Sequence, residues 1–210
     1  MAYDPVSSGF SSCTIYFNVG GVQHAILGCR GTFTVSLEAN QIPSLKFNFT
    51  GLYGGVTDVA ITTPTYTGFG TPVAVNSTNT LGLLHSKAMS GGTSGIQVQK
   101  FSFDLGNQIN YRLLVGSESV VVSDRQPKGS VSIEMTSIAF KDWLSSVKTG
   151  TTSAAFIQNG TVAGSIVHAI FPKTLLENPK YSDSDGIVML DMDFRAIWSS
   201  GNDEVRLLEK

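Results

Sequence analysis

The chain of 210 residues is poor in charge, in cysteine and in long apolar runs. Charged side chains make up 14% of its residues, whereas soluble proteins usually carry about 25%. The formal net charge is −2 and no cluster of Lys and Arg stands out, which argues against the basic footprint that tight nucleic-acid binding requires. Burial of much of the surface against other subunits explains such a composition most economically.

Further absences narrow the class of protein. No run approaches the 18 or so apolar residues of a membrane span, so none is expected. The first ten residues lack the basic and apolar regions of a signal peptide, which favours a protein made and used in a cytoplasm. Cys13 and Cys29 are the two cysteines, and without C-x-x-C spacing they are expected to be buried free thiols ahead of a disulfide.

Catalytic and metal-binding signatures are also missing. His24, His85 and His168 lie far apart, and the HExxH, GxSxG, Walker and GxGxxG patterns do not occur. The run 183–186, Asp-Ser-Asp-Gly, resembles the start of a calcium loop, but Phe194 stands where such a loop needs an acid. A tight turn is therefore the expected role of this run. The sequence predicts no catalytic residue, no metal and no cofactor.

Alternation of apolar and polar residues dominates the chain and predicts a mainly β fold in a single domain, 1–210. The first three strands form a predicted antiparallel meander. The apolar parity changes between Val98 and Phe101, which predicts a β-bulge near Gln99 and Lys100. A loop bounded by proline is expected through Asn178 and Pro179. The predicted strands are 14–19, 32–39, 45–49, 96–105, 111–115, 120–122, 131–135, 154–157, 161–171 and 186–197.

One helix is predicted over 137–148. Its apolar positions follow the i, i+3, i+4, i+7 spacing of one helix face, and Gly150 follows as a stop. The helix is expected to cover a sheet with this face. The core-facing residues are Phe140, Trp143, Leu144 and Val147.

Three segments are interpreted as arms. The segment 51–95 is rich in Gly, Thr, Ser and Pro, and a connection this long is either a functional arm or partly disordered. We favour an arm used for assembly, whose apolar stretches 72–75 and 81–84 pack on a neighbour. The N-terminal arm 1–12 and the C-terminal arm 202–210 are expected to order when subunits stack.

The strand 186–197 has two chemically different faces. Its apolar face carries Val188, Leu190, Met192, Phe194 and Ala196. Its other face carries Met189, Asp191, Asp193 and Arg195. Because successive side chains alternate, Asp191 and Asp193 form a short negative stripe that faces water, a channel or a cationic partner. A solvated face is the plainest interpretation, and we give it about the same weight as the channel and the cationic partner taken together.

A small basic turn is predicted around Arg125 and Lys128. Its first interpretation is a solvated turn between strands. Its second is a contact with an acidic patch on another subunit, such as Asp203 and Glu204.

Several stretches, taken in order, show a family resemblance. They are 27–33 (LGCRGTF), 49–53 (FTGLY), 101–107 (FSFDLGN), 124–130 (DRQPKGS), and 178–204, which opens NPKY and closes NDE. The sequence resembles the major tail tube proteins of long non-contractile-tailed bacteriophages. The likeness extends through most of the chain and lies in the order and spacing of the motifs together.

The resemblance implies a tail-tube-type β-sandwich or barrel with one flanking helix and a long loop or hairpin that reaches a neighbouring subunit. It implies hexameric rings that stack into a hollow virion tail tube, assembled in the host cytoplasm. A negative inner wall would let double-stranded DNA pass without binding. The expected partners are further copies of the chain, a tape-measure protein, a tail terminator and distal tail proteins.

Site residues follow from the same resemblance. Asp191 and Asp193 become candidates for the lumen wall, with Arg195 on the same face and expected to pair with one of them. The candidate contacts between subunits are Arg125, Lys128, Asp203, Glu204, Tyr53 and Phe69.

Other functions remain open from the sequence. A receptor- or carbohydrate-binding β-sandwich would use 51–95 as a ligand loop with Tyr53, Tyr66 and Phe69 as stacking platforms. A hydrolase on a similar fold would need acids such as Asp183, Asp185 or Glu134, but the chain shows no recognisable acid pair. Within phage tails, a tail terminator or the inner tube of a contractile tail is a further alternative.

Overall fold

The computed structural model describes residues 1–61, 63–68, 70–89 and 95–209. Most of these residues, about 60%, lie in β-strands, and they include one short helix. The elements are β1 (Ala2–Tyr3), β2 (Cys13–Val19), β3 (Val22–Glu38), β4 (Ser44–Asp58), β5 (Thr80–Leu84), β6 (Lys87–Met89), β7 (Val98–Asp104), β8 (Asn107–Leu114), β9 (Ser117–Arg125), β10 (Lys128–Glu134), α1 (Trp143–Lys148), β11 (Thr152–Asn159), β12 (Val167–Ser184), β13 (Ile187–Ala196) and β14 (Arg206–Glu209).

The strands are antiparallel, and most belong to one large sheet. Its order is β2-β3-β7-β10-β13-β12-β11-β5-β6, with β4 paired to β3, and β14 joining β1 to β12. The hairpin β8–β9 forms a separate two-stranded sheet. The mainly β prediction is therefore confirmed, and so is the antiparallel meander of β2, β3 and β4.

The long strand β12 lets the sheet enclose a core. Its first part pairs with β11 and its second part with β13, so this one strand connects the two parts of the sheet. Phe171 from the first part packs against Phe103 and Phe101 of β7, with ring centroids 4.7 and 5.9 Å apart. Phe194 of β13 completes this aromatic cluster, and all four rings are buried.

The predicted bulge in β7 is confirmed. Lys100 pairs with Ser132, but the next pair on β10 joins Ile133 to Val98, so Gln99 has no partner in that register. This one-residue insertion turns Phe101 and Phe103 towards the core on the same side as Ile96, which the parity change required.

The predicted loop at Asn178 and Pro179 is wrong. The chain passes through both residues inside β12, as a register shift between Glu177 and Lys180. Asn178 adopts a φ of +51°, a conformation that Asn tolerates better than most residues. Proline and an extra residue therefore form a bulge here without ending the strand.

The helix is shorter than predicted. It begins at Trp143 because Asp142 caps it, with the carboxylate accepting a hydrogen bond from the backbone N–H of Ser145 at 2.8 Å. Trp143 is buried, and Phe140 and Val147 pack against the core at its margin. Leu144 is 39% exposed, so its assignment to the core face is wrong.

Part of the predicted arm 51–95 belongs to the body of the protein. The first residues continue β4, and β5 pairs with β11 on one side and with β6 on the other. Leu84 and Val75 are buried in the core of their own chain. These stretches therefore pack within the subunit, which corrects the expectation that 72–75 and 81–84 pack on a neighbour.

The terminal arms are ordered in a single chain over their strands. Ala2 and Tyr3 pair with Leu208 and Leu207, and β14 pairs in turn with β12. An ion pair joins Asp4 to Arg206 at 2.6 Å, and this guanidinium holds the pKa of the Asp4 carboxyl below its usual value. The expectation that these strands order only on stacking is therefore wrong.

The run 183–186 forms the turn between β12 and β13. Asp183 accepts a hydrogen bond from the backbone N–H of Gly186 at 3.2 Å, and Asp185 has a φ of +55°, as expected for a tight turn. The hairpin end runs past the core, so Val188 is exposed while Met189 is buried, the reverse of their predicted faces. From Leu190 to Ala196 the apolar face is buried as predicted.

The two cysteines lie opposite each other on β2 and β3, both as free thiols. Cys29 is buried, and burial raises the pKa of its thiol. Cys13 is exposed, so the expectation of burial holds for Cys29 alone.

Candidate functional site

The outward side of the sheet formed by β3, β4, β7, β10, β13 and the second part of β12 is polar. Directly paired residues on neighbouring strands project to the same side, so the register defines cross-strand rows. Three such rows carry mostly polar side chains, and we call them together the polar face. The rows are Lys46-Thr34-Asp104-Lys128-Arg195, Ser44-Ser36-Ser102-Ser130-Asp193-Glu177 and Glu38-Lys100-Ser132-Asp191-Lys180.

The polar face is balanced in charge. Its three rows carry five cationic and five anionic side chains. Two opposite pairs lie within ion-pair distance, Arg195 with Glu177 at 3.4 Å and Lys100 with Glu38 at 3.9 Å. The middle row is serine-rich, with the hydroxyls of Ser102 and Ser130 2.8 Å apart. This surface is therefore strongly hydrated without the net negative charge that the family resemblance implied.

The three candidate lumen residues lie on this face, as their alternation predicts. Asp191 accepts a hydrogen bond from the Ser132 hydroxyl, and Asp193 accepts one from the Asn178 side-chain amide at 3.0 Å.

The expected pairing of Arg195 with Asp191 or Asp193 is wrong. Alternate residues of one strand lie about 7 Å apart along it. The carboxylate of Glu177 on the adjacent strand is in reach of Arg195 at 3.4 Å.

Arg125 and Glu204 form an ion pair within the chain. Their side chains are 11% and 12% exposed, and the guanidinium lies 2.9 Å from the carboxylate. Arg125 also donates to the backbone carbonyl of Val6 at 2.7 Å and to the Asn202 side-chain oxygen at 3.1 Å. One cation therefore ties the end of β9 to both terminal segments. We call this arrangement the terminal clamp.

The terminal clamp corrects the first interpretation of the basic turn. Arg125 is not solvated, because Glu204 and the terminal segments surround it. Asp203 beside it accepts hydrogen bonds from the backbone N–H groups of Ser199 and Ser200 at 2.8 and 3.1 Å. Lys128 is exposed at the start of β10. The predicted roles of these four residues between subunits stay predictions.

Part of the meander runs past the body of the sheet. The strand β7 pairs with β3 only over 34–38, whereas β2 and the distal part of β4 pair with residues 22–31 of β3. We call the three-stranded region of 13–19, 22–31 and 49–58 the extension. On one of its sides the large apolar side chains are mostly exposed, unlike those of the body.

One face of the extension is a continuous apolar surface. The pairs Ile15–Ile26 and Ile26–Tyr53 place three large side chains in one row. Phe17 packs near His24, with ring centroids 6.3 Å apart, in the next row. Tyr53 is 79% exposed and Phe17 61% exposed. Such a patch indicates an interaction surface, and it includes the predicted contact residue Tyr53. The other predicted aromatic contact, Phe69, lies outside the described residues.

Sequence reasoning did not find the partners that organise these surfaces. Glu177 was hidden because the expected loop at 178–179 separated it from β13. The pair Arg125–Glu204 spans 79 positions, so no local pattern reveals it. His85 is buried with Nε2 3.2 Å from the Thr174 hydroxyl, and nothing around it in the sequence marked it as a core residue.

The described part of the chain contains no cluster of three or more His, Cys, Asp or Glu side chains arranged to hold a metal ion. No helix among those residues is long and apolar enough to cross a membrane.

The mainly β fold therefore presents two candidate interaction surfaces, the polar face of the sheet and the exposed apolar face of the extension. Residues 2–196 match the model of the phage tail tube protein family. The chain therefore belongs to the phage tail tube protein family, and it is a structural component of the virion tail, not an enzyme. No curated protein matches the chain significantly.

Proposed function

We propose that the chain assembles into rings, with six subunits each, and that the rings stack into the hollow tail tube of a long non-contractile tail. The observation that carries this proposal is the apolar face of the extension. Its exposed Phe17, Ile26 and Tyr53 side chains lose contact with water when a neighbouring subunit covers them. Tyr53 is thus a contact residue between subunits.

Open strand edges support ring closure. Among the described residues β4 pairs only with β3, and β2 likewise pairs only with β3. Each therefore presents unpaired backbone N–H and C=O groups that a strand of another subunit can satisfy. A sheet that continues from subunit to subunit around a ring closes into a barrel and removes these edges.

The polar face lines the lumen in this proposal, with Asp191, Asp193 and Arg195 near its centre. Its cations are matched by carboxylates, as in the pair Arg195–Glu177. DNA phosphates therefore find few uncompensated charges to bind, since tight binding needs Lys and Arg groups that release counterions. A hydrated, balanced wall lets double-stranded DNA slide through on its way to the host.

The partners follow from the place in the tail. A tape-measure protein fills the tube before DNA enters, and a tail terminator and distal tail proteins close its ends. Assembly takes place in the host cytoplasm. Lys128 and Asp203 are exposed or half-buried beside the terminal clamp and serve as polar contacts between subunits.

The first test is electron microscopy of the purified protein at rising concentration, with sedimentation on the same samples. Hollow filaments or stacked rings of uniform width are expected. Monomers alone, even after a tail-tip or tape-measure nucleus is added, would reject the proposal. Saccharide binding by such monomers would favour a receptor- or carbohydrate-binding module.

The lumen assignment has a separate test in the double variant Asp191→Asn, Asp193→Asn. This change leaves five cations facing three carboxylates in the rows of the polar face, so DNA should be held back during ejection. We expect normal tubes and slower or incomplete release of DNA. The matched control is Asp183→Asn with Asp185→Asn in the β12–β13 turn. Unchanged ejection in the first variant would remove both residues from the lumen wall.

A further inference from the structure

The hairpin β8–β9 ends in an uncovered apolar tip. Leu113, Leu114 and Val115 are 70%, 55% and fully exposed, and Gly116 closes the turn with a φ of +79°. Charged and polar residues are the usual occupants of hairpin tips, so three adjacent large aliphatic side chains require an explanation.

An apolar groove of about 470 Å³ lies elsewhere on the same chain. Phe33, Leu45, Phe47, Val167 and Leu207 contribute to its lining, and Glu209 is the charged residue at its wall. Leu45, Phe47 and Val167 are about half exposed. The groove is therefore open to a side chain that enters from outside.

The hairpin and the groove lie on opposite sides of β3. At the root of the hairpin, the Asn107 side-chain amide donates to the backbone carbonyl of Gly31 at 3.0 Å. Halfway along, the Arg30 guanidinium donates to the carbonyl of Val120. Arg30 alternates to the side of β3 opposite residues 33, 35 and 37, which line the groove, so the hairpin lies on the other side of this strand from the groove. One chain cannot insert its own tip into its own groove.

Charge complements the apolar match. Arg112 is exposed next to the tip and forms no ion pair among the described residues. Glu209 borders the groove, with its carboxylate 3.5 Å from the Tyr3 hydroxyl. The hydrogen bond between the Tyr111 hydroxyl and Glu118 links the two strands of the hairpin, and this fixes the tip before it binds.

We propose that the Leu113–Val115 tip of one subunit inserts into the apolar groove of a second copy of this chain, with Arg112 placed against the partner's Glu209. The contact joins two different surfaces, so it leaves one free tip and one free groove and propagates head to tail. It rests on the proposed tube in one respect, because we assign it to the stacking of successive rings.

The test uses two variants that each block one surface. Val115→Asp blocks the tip, Leu45→Asp blocks the groove, and Ile138→Asp is the control at an exposed apolar residue near the helix. Removing one aliphatic contact of this size weakens binding roughly 10- to 100-fold, and the critical concentration for filaments should rise as much in the first two variants. Unchanged urea midpoints establish that each variant is folded.

Mixing the two blocked variants gives the decisive result. Below its raised critical concentration neither variant stacks alone, but Val115→Asp keeps a working groove and Leu45→Asp keeps a working tip. The mixture should therefore form pairs of stacked rings and nothing longer, which sedimentation can detect. In a Cys13→Ser background, Val115→Cys mixed with Leu45→Cys should give disulfide-linked dimers, whereas Ile138→Cys mixed with Leu45→Cys should not.

The outcomes distinguish failure of the tip-to-groove contact from failure of the proposed tube. Filaments of Val115→Asp at the normal concentration would overturn the inference and leave the tube intact. Loss of filaments in Leu45→Asp alone would also overturn it, because the groove would then hold another segment or another tail protein. Tip-to-groove dimers of a wild type that never forms tubes would support the contact and reject the tube.

Discussion

The body and the extension use the same residue pattern with opposite results. In β7, alternate apolar residues such as Phe101 and Phe103 are fully buried. In β2 the same alternation leaves Phe17 61% exposed. The body has a second region of sheet to cover its apolar face, whereas no described residues form such a sheet over the apolar face of the extension. Alternation therefore shows which face needs a partner, and the fold decides whether that partner is the same molecule.

The largest expected effect is a difference in the free energy of unfolding between a variant of the body and a variant of the extension. Phe103→Ala removes a ring that packs 4.7 Å from Phe171 in the core, and the loss of burial plus the cavity should cost about 3 to 5 kcal/mol. The matched change Phe17→Ala in the extension should cost less than about 0.5 kcal/mol in the isolated subunit. Urea unfolding of both variants measures the difference, and equal losses would mean that the extension has a partner within its own chain.

How far the sequence predicts this molecule depends on the range of the interactions. The bulge at Gln99 was predictable because a parity change within one strand reports it. The start of the helix was missed because a single cap, Asp142, outweighs the apolar spacing of the preceding turn. The bulge at Asn178 was missed because Asn-Pro usually ends a strand, and here the pairing with β13 resumes at Lys180.

The residues of the candidate surfaces were likewise predictable only where the pattern within one strand reports them. The orientation of Asp191, Asp193 and Arg195 was predictable from alternation within β13. Their partners were not, because Glu177 and Ser132 come from neighbouring strands whose register the sequence does not specify. The projection of the extension was also invisible, since it depends on β7 pairing with only a short part of β3.

The second prediction compares the terminal clamp with an exposed ion pair. Arg125→Met leaves the buried Glu204 carboxylate without its cation and should cost about 3 kcal/mol. Arg206→Met breaks the pair with Asp4 and should cost far less, because both side chains are exposed and solvent screens their attraction. Unfolding in urea at neutral pH measures both. The double variant Arg125→Met, Glu204→Leu should regain most of the loss, and a cost of Arg125→Met as small as that of Arg206→Met would show that the clamp does not hold the termini.

The third prediction is that His85, a buried residue of the body, makes the stability of the protein sensitive to acid. Burial, and then the charge of Lys141, lower the pKa of His85 from 6.5 to about 4. Between these values the unfolded chain binds a proton that the folded chain does not, so the free energy of unfolding falls as the pH drops from about 6.5 to 4. The loss should approach about 2 to 3 kcal/mol.

His85→Asn is the matched variant for this test. The native residue has a φ of +47°, which Asn tolerates better than most side chains. Its unfolding free energy should change less than that of the wild type over the same pH range. Parallel curves for the two proteins would assign the acid sensitivity to other groups.

The smallest effect on stability should accompany a large effect on assembly. Tyr53→Ser removes a ring that is 79% exposed, so the isolated subunit should lose no more than about 0.5 kcal/mol. The same ring buried by a neighbouring subunit contributes about 1.5 to 3 kcal/mol, which corresponds to a roughly 10- to 100-fold higher critical concentration for tubes. Urea unfolding and sedimentation of one preparation measure both quantities. Tyr66→Ser, in the loop between β4 and β5, is the control. Normal assembly of the Tyr53 variant would show that this apolar face stays uncovered in the tube, and the comparison between body and extension would then lose its functional meaning.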